Sequence, residues 1–276
     1  MQTEKQEMTF LDHLEELRWT LVRSAVAILV FAILAFIFKR FVFDIIILSP
    51  KDPDFITNRI MCQLAEQFHI KGLCMAGEPI KLINITMGGQ FVMHITISII
   101  AGFIAAFPYV AWEIWRFISP ALFEKEKKHT RMIVFYITIL FFMGVFMGYF
   151  IITPVTILFL ASYSISSEVT NTINLTSYIQ VTTSIWFASG IIFELPIITY
   201  LLASIGVLTS SFMKKYRKYA AIVILFFAAI ITPSPDMFSQ TIVAIPLYLL
   251  YEASILVAVM VERKKARKLQ ELDLAE

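Results

Sequence analysis

Long apolar runs separated by short polar or charged clusters organise the whole chain. Six such runs stand out, at Trp19–Phe38, Met87–Phe107, Met132–Ile152, Tyr178–Leu202, Tyr219–Ile231 and Phe238–Val261. A bilayer core about 30 Å thick is crossed by roughly 20 predominantly apolar residues in a helix. Most of the runs have that length. Tyr219–Ile231 holds only 13 residues, about 20 Å at a rise of 1.5 Å per residue, so either the bilayer thins there or neighbouring helices shield it. None of the runs shows the two-residue alternation of a barrel strand. A backbone in lipid must also satisfy its own hydrogen bonds, so each run is predicted to be helical. The expected fold class is therefore all-α: a polytopic membrane protein with six transmembrane helices, forming one domain over residues 1–276.

Composition excludes the main alternatives. Hydrophobic residues make up 58% of the 276, and charged residues 16%, against about 25% charged in an ordinary soluble domain. A soluble globule, a disordered chain, a secreted disulfide scaffold and a nucleic-acid binder all drop out. The net charge of +2 decides little, but the placement of charge decides orientation. From Met132 to Met213 there is no Lys or Arg, and the only acids are Glu168 and Glu194. Cations gather instead at Lys125, Lys127, Lys128 and Arg131, then at Lys214, Lys215, Arg217 and Lys218, and again from Arg263 to Lys268. The connections at 153–177 and 232–237 carry none. The positive-inside rule then places both termini in the cytoplasm, in agreement with an even number of spans. On that reading residues 1–18 form a cytoplasmic amphipathic segment, 39–86 an external loop, and 262–276 a charged cytoplasmic tail. The polar, acidic start is not that of a cleavable signal peptide. Cys62 and Cys74 both fall in the external loop, where an oxidising compartment permits a disulfide; two separate thiols are the alternative.

Four stretches carry candidate chemistry. The first, His13-Leu14-Glu15-Glu16-Leu17-Arg18, precedes span one. It has the character of an amphipathic helix start that presents acids beside the membrane. The second runs from Trp112 through Arg116, Phe117 and Pro120 to Glu124 and Glu126, at the inner end of span two. Aromatic rings there serve as interfacial anchors. Acids among cations beside aromatic surface also suit a guanidinium, whose planar fork takes bidentate acceptors. The third, Phe193-Glu194-Leu195-Pro196, puts a carboxyl inside span four. Such a residue faces a partner or a cavity rather than lipid, and Pro196 is expected to kink the helix and free a carbonyl near Phe193 or Ile192. The fourth is the outer turn Pro233-Ser234-Pro235-Asp236 leading to Gln240, with Asp236 in position to cap the last helix. Glu252 is a second acid within an apolar span.

The signatures of serine hydrolases, zinc proteases and P-loop ATPases are all missing, and no His or Cys cluster has metal-ligand spacing. The chain is read as a non-enzyme with no metal and no cofactor.

Taken together, the four stretches resemble TatC, the polytopic subunit of the twin-arginine protein translocase. The resemblance rests on His13-Leu14-x-Glu16-Leu17-Arg18, Trp115-x-Phe117-Ile118-x-Pro120-Ala121-Leu122, Phe193-Glu194-x-Pro196 and Pro235-Asp236-x-Phe238-Ser239-Gln240, with Ile245-Pro246 and Tyr251-Glu252 following. It covers Phe10 to about Glu262. Phe123 stands where the family pattern commonly has Tyr. The resemblance implies a cupped bundle in a bacterial-type inner membrane. It also implies a receptor for the twin-arginine signal peptides of folded cargo, with Glu16, Arg18, Phe117 and Glu126 on the recognition surface. Glu124 competes with Glu126 for the role of second acid. Glu194 with Pro196 is implied as the intramembrane polar site, and Asp236 and Gln240 as functional near the outer end. TatA- and TatB-type single-span partners in a multi-copy complex are implied too, driven by the proton-motive force. The other reading that the acids allow is a proton-coupled small-molecule transporter using Glu194 and Glu252.

Overall fold

The computed structural model describes residues 10–68, 80–122, 130–164, 166, 171–231 and 237–273. Glu124, Glu126, Asp236 and Cys74 lie outside these described residues. Among them, five helical stretches are long and apolar enough to cross a membrane: His13–Ile37, Gly89–Ser119, Arg131–Ser162, Leu175–Ile205 and Gln240–Arg267. Their surfaces invert the pattern of a soluble protein. Leu29 is 59% exposed and Ile37 65%, while Glu113 is buried along with Thr153, Thr156 and Thr182. Apolar side chains turned outward in this density require a lipid solvent.

The chain divides into two compact units. The first takes Met1–Phe38 and Ser98–Thr138, the second Lys39–Ile97 and Ile139–Glu276. In the first unit, helix α1 (Phe10–Ile37) pairs with the later part of helix α3 (Gly89–Leu122). Gly102 permits their approach, because a Cβ there would come within 2.5 Å of the Ala32 backbone nitrogen.

In the second unit, π-helical residues Phe41–Ile47 and helix α2 (Ile56–Phe68) occupy the expected external loop. Helix α4 (Thr130–Met147) passes through a π-helical turn, Gly148–Ile152, into helix α5 (Thr153–Ser162). This span therefore continues ten residues beyond the boundary expected at Ile152. Its irregularity has a local cause. Pro154 has no N–H to give the carbonyl of Phe150, and that carbonyl accepts from the Thr57 hydroxyl of α2 instead. Farther along, strands β1 (Leu82–Ile83) and β2 (Ile173–Asn174) form a two-residue parallel pair, too small to alter the all-α class. Asn174 then caps helix α6 (Leu175–Ile192) by accepting from the Thr176 amide at 3.2 Å.

Helices α4 and α6 meet through small residues. A Cβ on Gly144 would lie 2.5 Å from the Ser189 carbonyl oxygen, and one on Gly190 would lie 2.7 Å from the Phe141 ring. Helix α7 (Leu195–Ile205), the short helix α8 (Ser210–Lys215) and helix α9 (Arg217–Ile231) follow. Helix α10 (Met237–Asp273) is 37 residues long, so it carries the expected charged tail into helix as far as Asp273. It packs on α7 around Ala203, Ile255 and Ala258, a core that also takes in Met213 of α8. The expected fifth span is α9, helical but only 15 residues long.

Candidate functional site

The polar end of the first unit, where α1 begins and α3 finishes, is built by these two helices. On α1 the more buried stripe runs His13, Glu16, Leu17, Thr20, Arg23 and Ser24, while Glu15 and Arg18 are exposed. This spacing of three and four keeps the polar side chains on one helix face. On α3 the matching residues are Tyr109, Glu113 and Phe117, each four apart. The two helices are antiparallel, and their stripes meet twice. The His13 and Phe117 rings stack with centroids 4.3 Å apart and planes 16° from parallel. Ten residues further along α1, Arg23 Nε donates to Glu113 Oε2 at 3.1 Å. Glu113 Oε1 accepts from the Tyr109 hydroxyl at 3.0 Å.

The ring stack joins two sequence motifs that lie about a hundred residues apart. Glu16 sits one helical turn from His13, half-buried, and no described residue pairs with it. Arg18 points to the exposed side of α1. Phe117 is half-buried. Beside this surface, Arg116 lies over the exposed Trp112 ring with its guanidinium carbon 6.0 Å from the centroid, a cation–π contact of the kind common at interfaces.

Arg23, Tyr109 and Glu113 were not singled out in the sequence, although the signal was there. Arg23 is a cation inside the first apolar run, and a cation in that setting calls for a counter-ion.

In the second unit, Glu194 occupies a break between α6 and α7. Phe193 donates its amide to Ser189 O at 3.0 Å, and Glu194 to Ile191 O at 3.1 Å. The second of these spans three residues, a tightened turn. Pro196 stands one residue inside α7 and is buried. Its missing N–H accounts for the break, and the carbonyl it frees is that of Ile192, as expected. The Glu194 side chain is half-buried, and its Oε1 is buried without a hydrogen-bond partner in the structure. A carboxyl oxygen in that state is costly unless a ligand or a partner supplies the bond.

Glu252 and Gln240 are placed differently. Arg217 at the start of α9 donates to Glu252 Oε2 at 2.7 Å. Gln240 donates its side-chain amide to Leu225 O at 2.8 Å, tying α10 to α9. Nearby, Glu262 accepts from the Ser210 amide at 2.6 Å and from its hydroxyl, which completes the start of α8. Lys265 donates to Ala203 O at 3.0 Å at the end of α7, where Gly206 takes the left-handed conformation with φ of 85°. Cys62 lies in α2, while Cys74, the only other cysteine in the sequence, lies outside the described residues. Among the described residues, no group of three or more His, Cys, Asp or Glu is arranged to hold a metal ion.

The chain is similar to known proteins over nearly all its length. Residues 12–246 match the family model of Sec-independent protein translocase protein (TatC). A Sec-independent protein translocase protein TatC from Blattabacterium sp. subsp. Periplaneta americana is 39% identical over 267 residues, covering 96% of this chain and 100% of the relative. Its counterpart from Aquifex aeolicus is 32% identical, covering 94% and 98%. A crystal structure of the twin-arginine translocase receptor TatC superposes with a TM-score of 0.65 at 30% identity, covering 91% of this chain and 99% of that one. A second, in DDM, gives 0.69 at 32% identity, covering 89% and 99%.

Proposed function

Because this chain belongs to the TatC family of Sec-independent protein translocase proteins, we propose that it is the receptor subunit that captures twin-arginine signal peptides of folded cargo. The observation that carries this reading is the stack of His13 on Phe117, which gathers both sequence motifs on one surface. Glu16, Phe117 and Arg18 contribute from the helices, and Glu126, or Glu124 in its place, is the second acid. Charge-assisted hydrogen bonds from a guanidinium to a carboxylate are worth about 1.5–3 kcal/mol each. A carboxylate takes both prongs of the guanidinium fork, whereas an ammonium offers only a point charge. A receptor built on paired acids therefore prefers arginine to lysine.

In this reading the chain is one membrane domain, held in a bacterial-type inner membrane with both termini in the cytoplasm. Helix α9 is the fifth of six spans, and its 15 residues cover about 22 Å. The protein carries out no bond chemistry. It receives the signal, and TatA- and TatB-type single-span partners assemble alongside it, with the proton-motive force driving export. The unpartnered oxygen of Glu194, beside Pro196, offers such a partner a hydrogen-bonding site within the bilayer. Gln240 and Asp236 serve the outer end, and Cys62 pairs with Cys74 outside.

Charge reversal tests the receptor surface. Glu16→Lys and Glu126→Lys each remove an acceptor and add repulsion, so signal-peptide binding is expected to fall by at least about tenfold, or 1.4 kcal/mol, with membrane insertion unchanged. Wild-type binding by both variants contradicts the assignment. Solute uptake into proteoliposomes holding this chain alone, dependent on Glu194, would favour the transporter reading instead.

A further inference from the structure

Cations from α8 and α9 share one edge of the second unit. Lys214 and Lys215 close α8, and Arg217 and Lys218 open α9. This edge is fixed against α10, because Glu262 accepts from the Ser210 amide at 2.6 Å and the Tyr251 hydroxyl donates to Met213 O at 2.8 Å. The acids that reach it are already engaged. Glu252 holds Arg217 at 2.7 Å, and Glu262 is bound to Ser210 through both oxygens. Lys214, Lys215 and Lys218 are exposed, and among the described residues none of them has an ion-pair partner.

Two of these lysines lie over aromatic rings. Lys215 Nζ is 5.9 Å from the centroid of Tyr216 and Lys218 Nζ 5.2 Å from that of Tyr219, and the two rings are 5.8 Å apart. A ring face attracts an ammonium without neutralising it, so both charges stay open to an anion. Tyrosines of this kind mark the headgroup level of a bilayer. From Tyr219 onward α9 turns an apolar stripe outward through Val223, Phe226 and Ile230, with Phe226 64% exposed. The spacing of four, three and four keeps these residues on one helix face. Cations that served only to orient the chain would need neither the rings nor the stripe. A ligand that fits both is an amphiphile, anionic at one end and apolar along its body.

We propose that Lys215 and Lys218, set over Tyr216 and Tyr219, bind the phosphate of an anionic phospholipid whose acyl chains lie along Val223, Phe226 and Ile230. Lys214 adds to the positive field at the same edge. Arg217 is a positioning residue: its bond to Glu252 holds the start of α9 on α10.

The test titrates the full-length protein in dodecyl maltoside micelles with pyrene-labelled phosphatidylglycerol and with pyrene-labelled phosphatidylcholine, and reads binding by fluorescence anisotropy. Each cation beside an anionic headgroup contributes about fivefold in affinity, so wild type is expected to prefer phosphatidylglycerol about twentyfold. Lys215→Gln/Lys218→Gln is expected to reduce that preference to about fourfold or less. Lys215→Arg/Lys218→Arg is expected to retain it. Lys39→Gln/Arg59→Gln, which takes the same charge from another part of the unit, is expected to leave it unchanged. Equal affinity of wild type for the two lipids overturns the inference, and so does an equal loss in both glutamine pairs, which would reduce the effect to net charge. Stronger displacement by inorganic phosphate or by polyglutamate than by unlabelled phosphatidylglycerol also overturns it, assigning the lysines to a free anion or to an acidic protein segment. If the K215Q/K218Q pair does not accumulate, Lys218→Gln alone carries the contrast: a loss of about fivefold in preference is expected, and no loss overturns the inference.

Discussion

At the residue scale, small differences in side-chain volume and charge separate positions that look alike in the sequence. Gly144 and Gly88 are both glycines within apolar runs. A Cβ on Gly144 would lie 2.5 Å from a backbone oxygen of α6, whereas one on Gly88 meets nothing within 4 Å. Gly144→Ala is expected to cost about 1–3 kcal/mol through overpacking, read as a clearly lower melting temperature in detergent. Gly88→Ala is expected to stay within about 0.5 kcal/mol of wild type, and equal melting of the two variants would show that the α4–α6 contact is not tight. Glu194 and Glu252 were likewise alike on paper, as acids in apolar runs. The structure gives Glu252 an arginine at 2.7 Å and leaves an oxygen of Glu194 without a partner. Hydropathy flags both acids, but the counter-ion of Glu252 is 35 residues away and no local pattern points to it. Arg23 carries the same lesson from the other side. A lone cation in an apolar run was visible, yet its partner Glu113 is 90 residues distant, and only the antiparallel register of α1 and α3 brings the two together.

At the element scale, the apolar runs were legible because lipid leaves a helix few alternatives, and all six sit on helices in the structure. Their ends were less legible. Hydropathy stops counting at polar residues, but Thr153 and Thr156 continue the helix because the protein interior buries them, and Trp186 donates its indole N–H to Thr153 at 2.9 Å. The charged segment after Val261 remains helical for a comparable reason: Glu262 and Lys265 bond to the ends of α8 and α7. Glutamate at a helix start and lysine at a helix end both complement the backbone dipoles there. Glu262→Ala removes two bonds to a carboxylate, so a loss of about 1–3 kcal/mol is expected. Faster proteolytic cleavage between α7 and α9 measures it, and wild-type protection would show that α8 is held by Met213 and Tyr251 packing alone. The break at Phe193–Glu194 was readable in advance, because a proline within a helix removes a defined hydrogen bond.

At the scale of the whole molecule, orientation is the property on which the functional reading depends. On the proposed orientation, the positive-inside rule assigns the termini and three cation clusters to one side and the segment holding Cys62 to the other. Reporter fusions that are active only in the cytoplasm are expected to work at residue 276 and after Lys218, and to fail after Cys62. The reverse pattern would remove the receptor surface from the compartment where signal peptides arrive. On the same proposed arrangement the cysteines are expected to resist maleimide in intact cells until a reductant is added, since a disulfide persists only in an oxidising compartment. Labelling of Cys62 without reductant would contradict it. The central claim is arginine-dependent capture at the surface where His13 meets Phe117. It is tested most directly by photo-crosslinking in membranes, with probes placed at Glu16 and Phe117 and peptides bearing either two adjacent arginines or two lysines. Adducts at both positions with the arginine peptide, and few with the lysine peptide, are the expected result. Equal labelling by the two peptides, or none by either, would contradict the account.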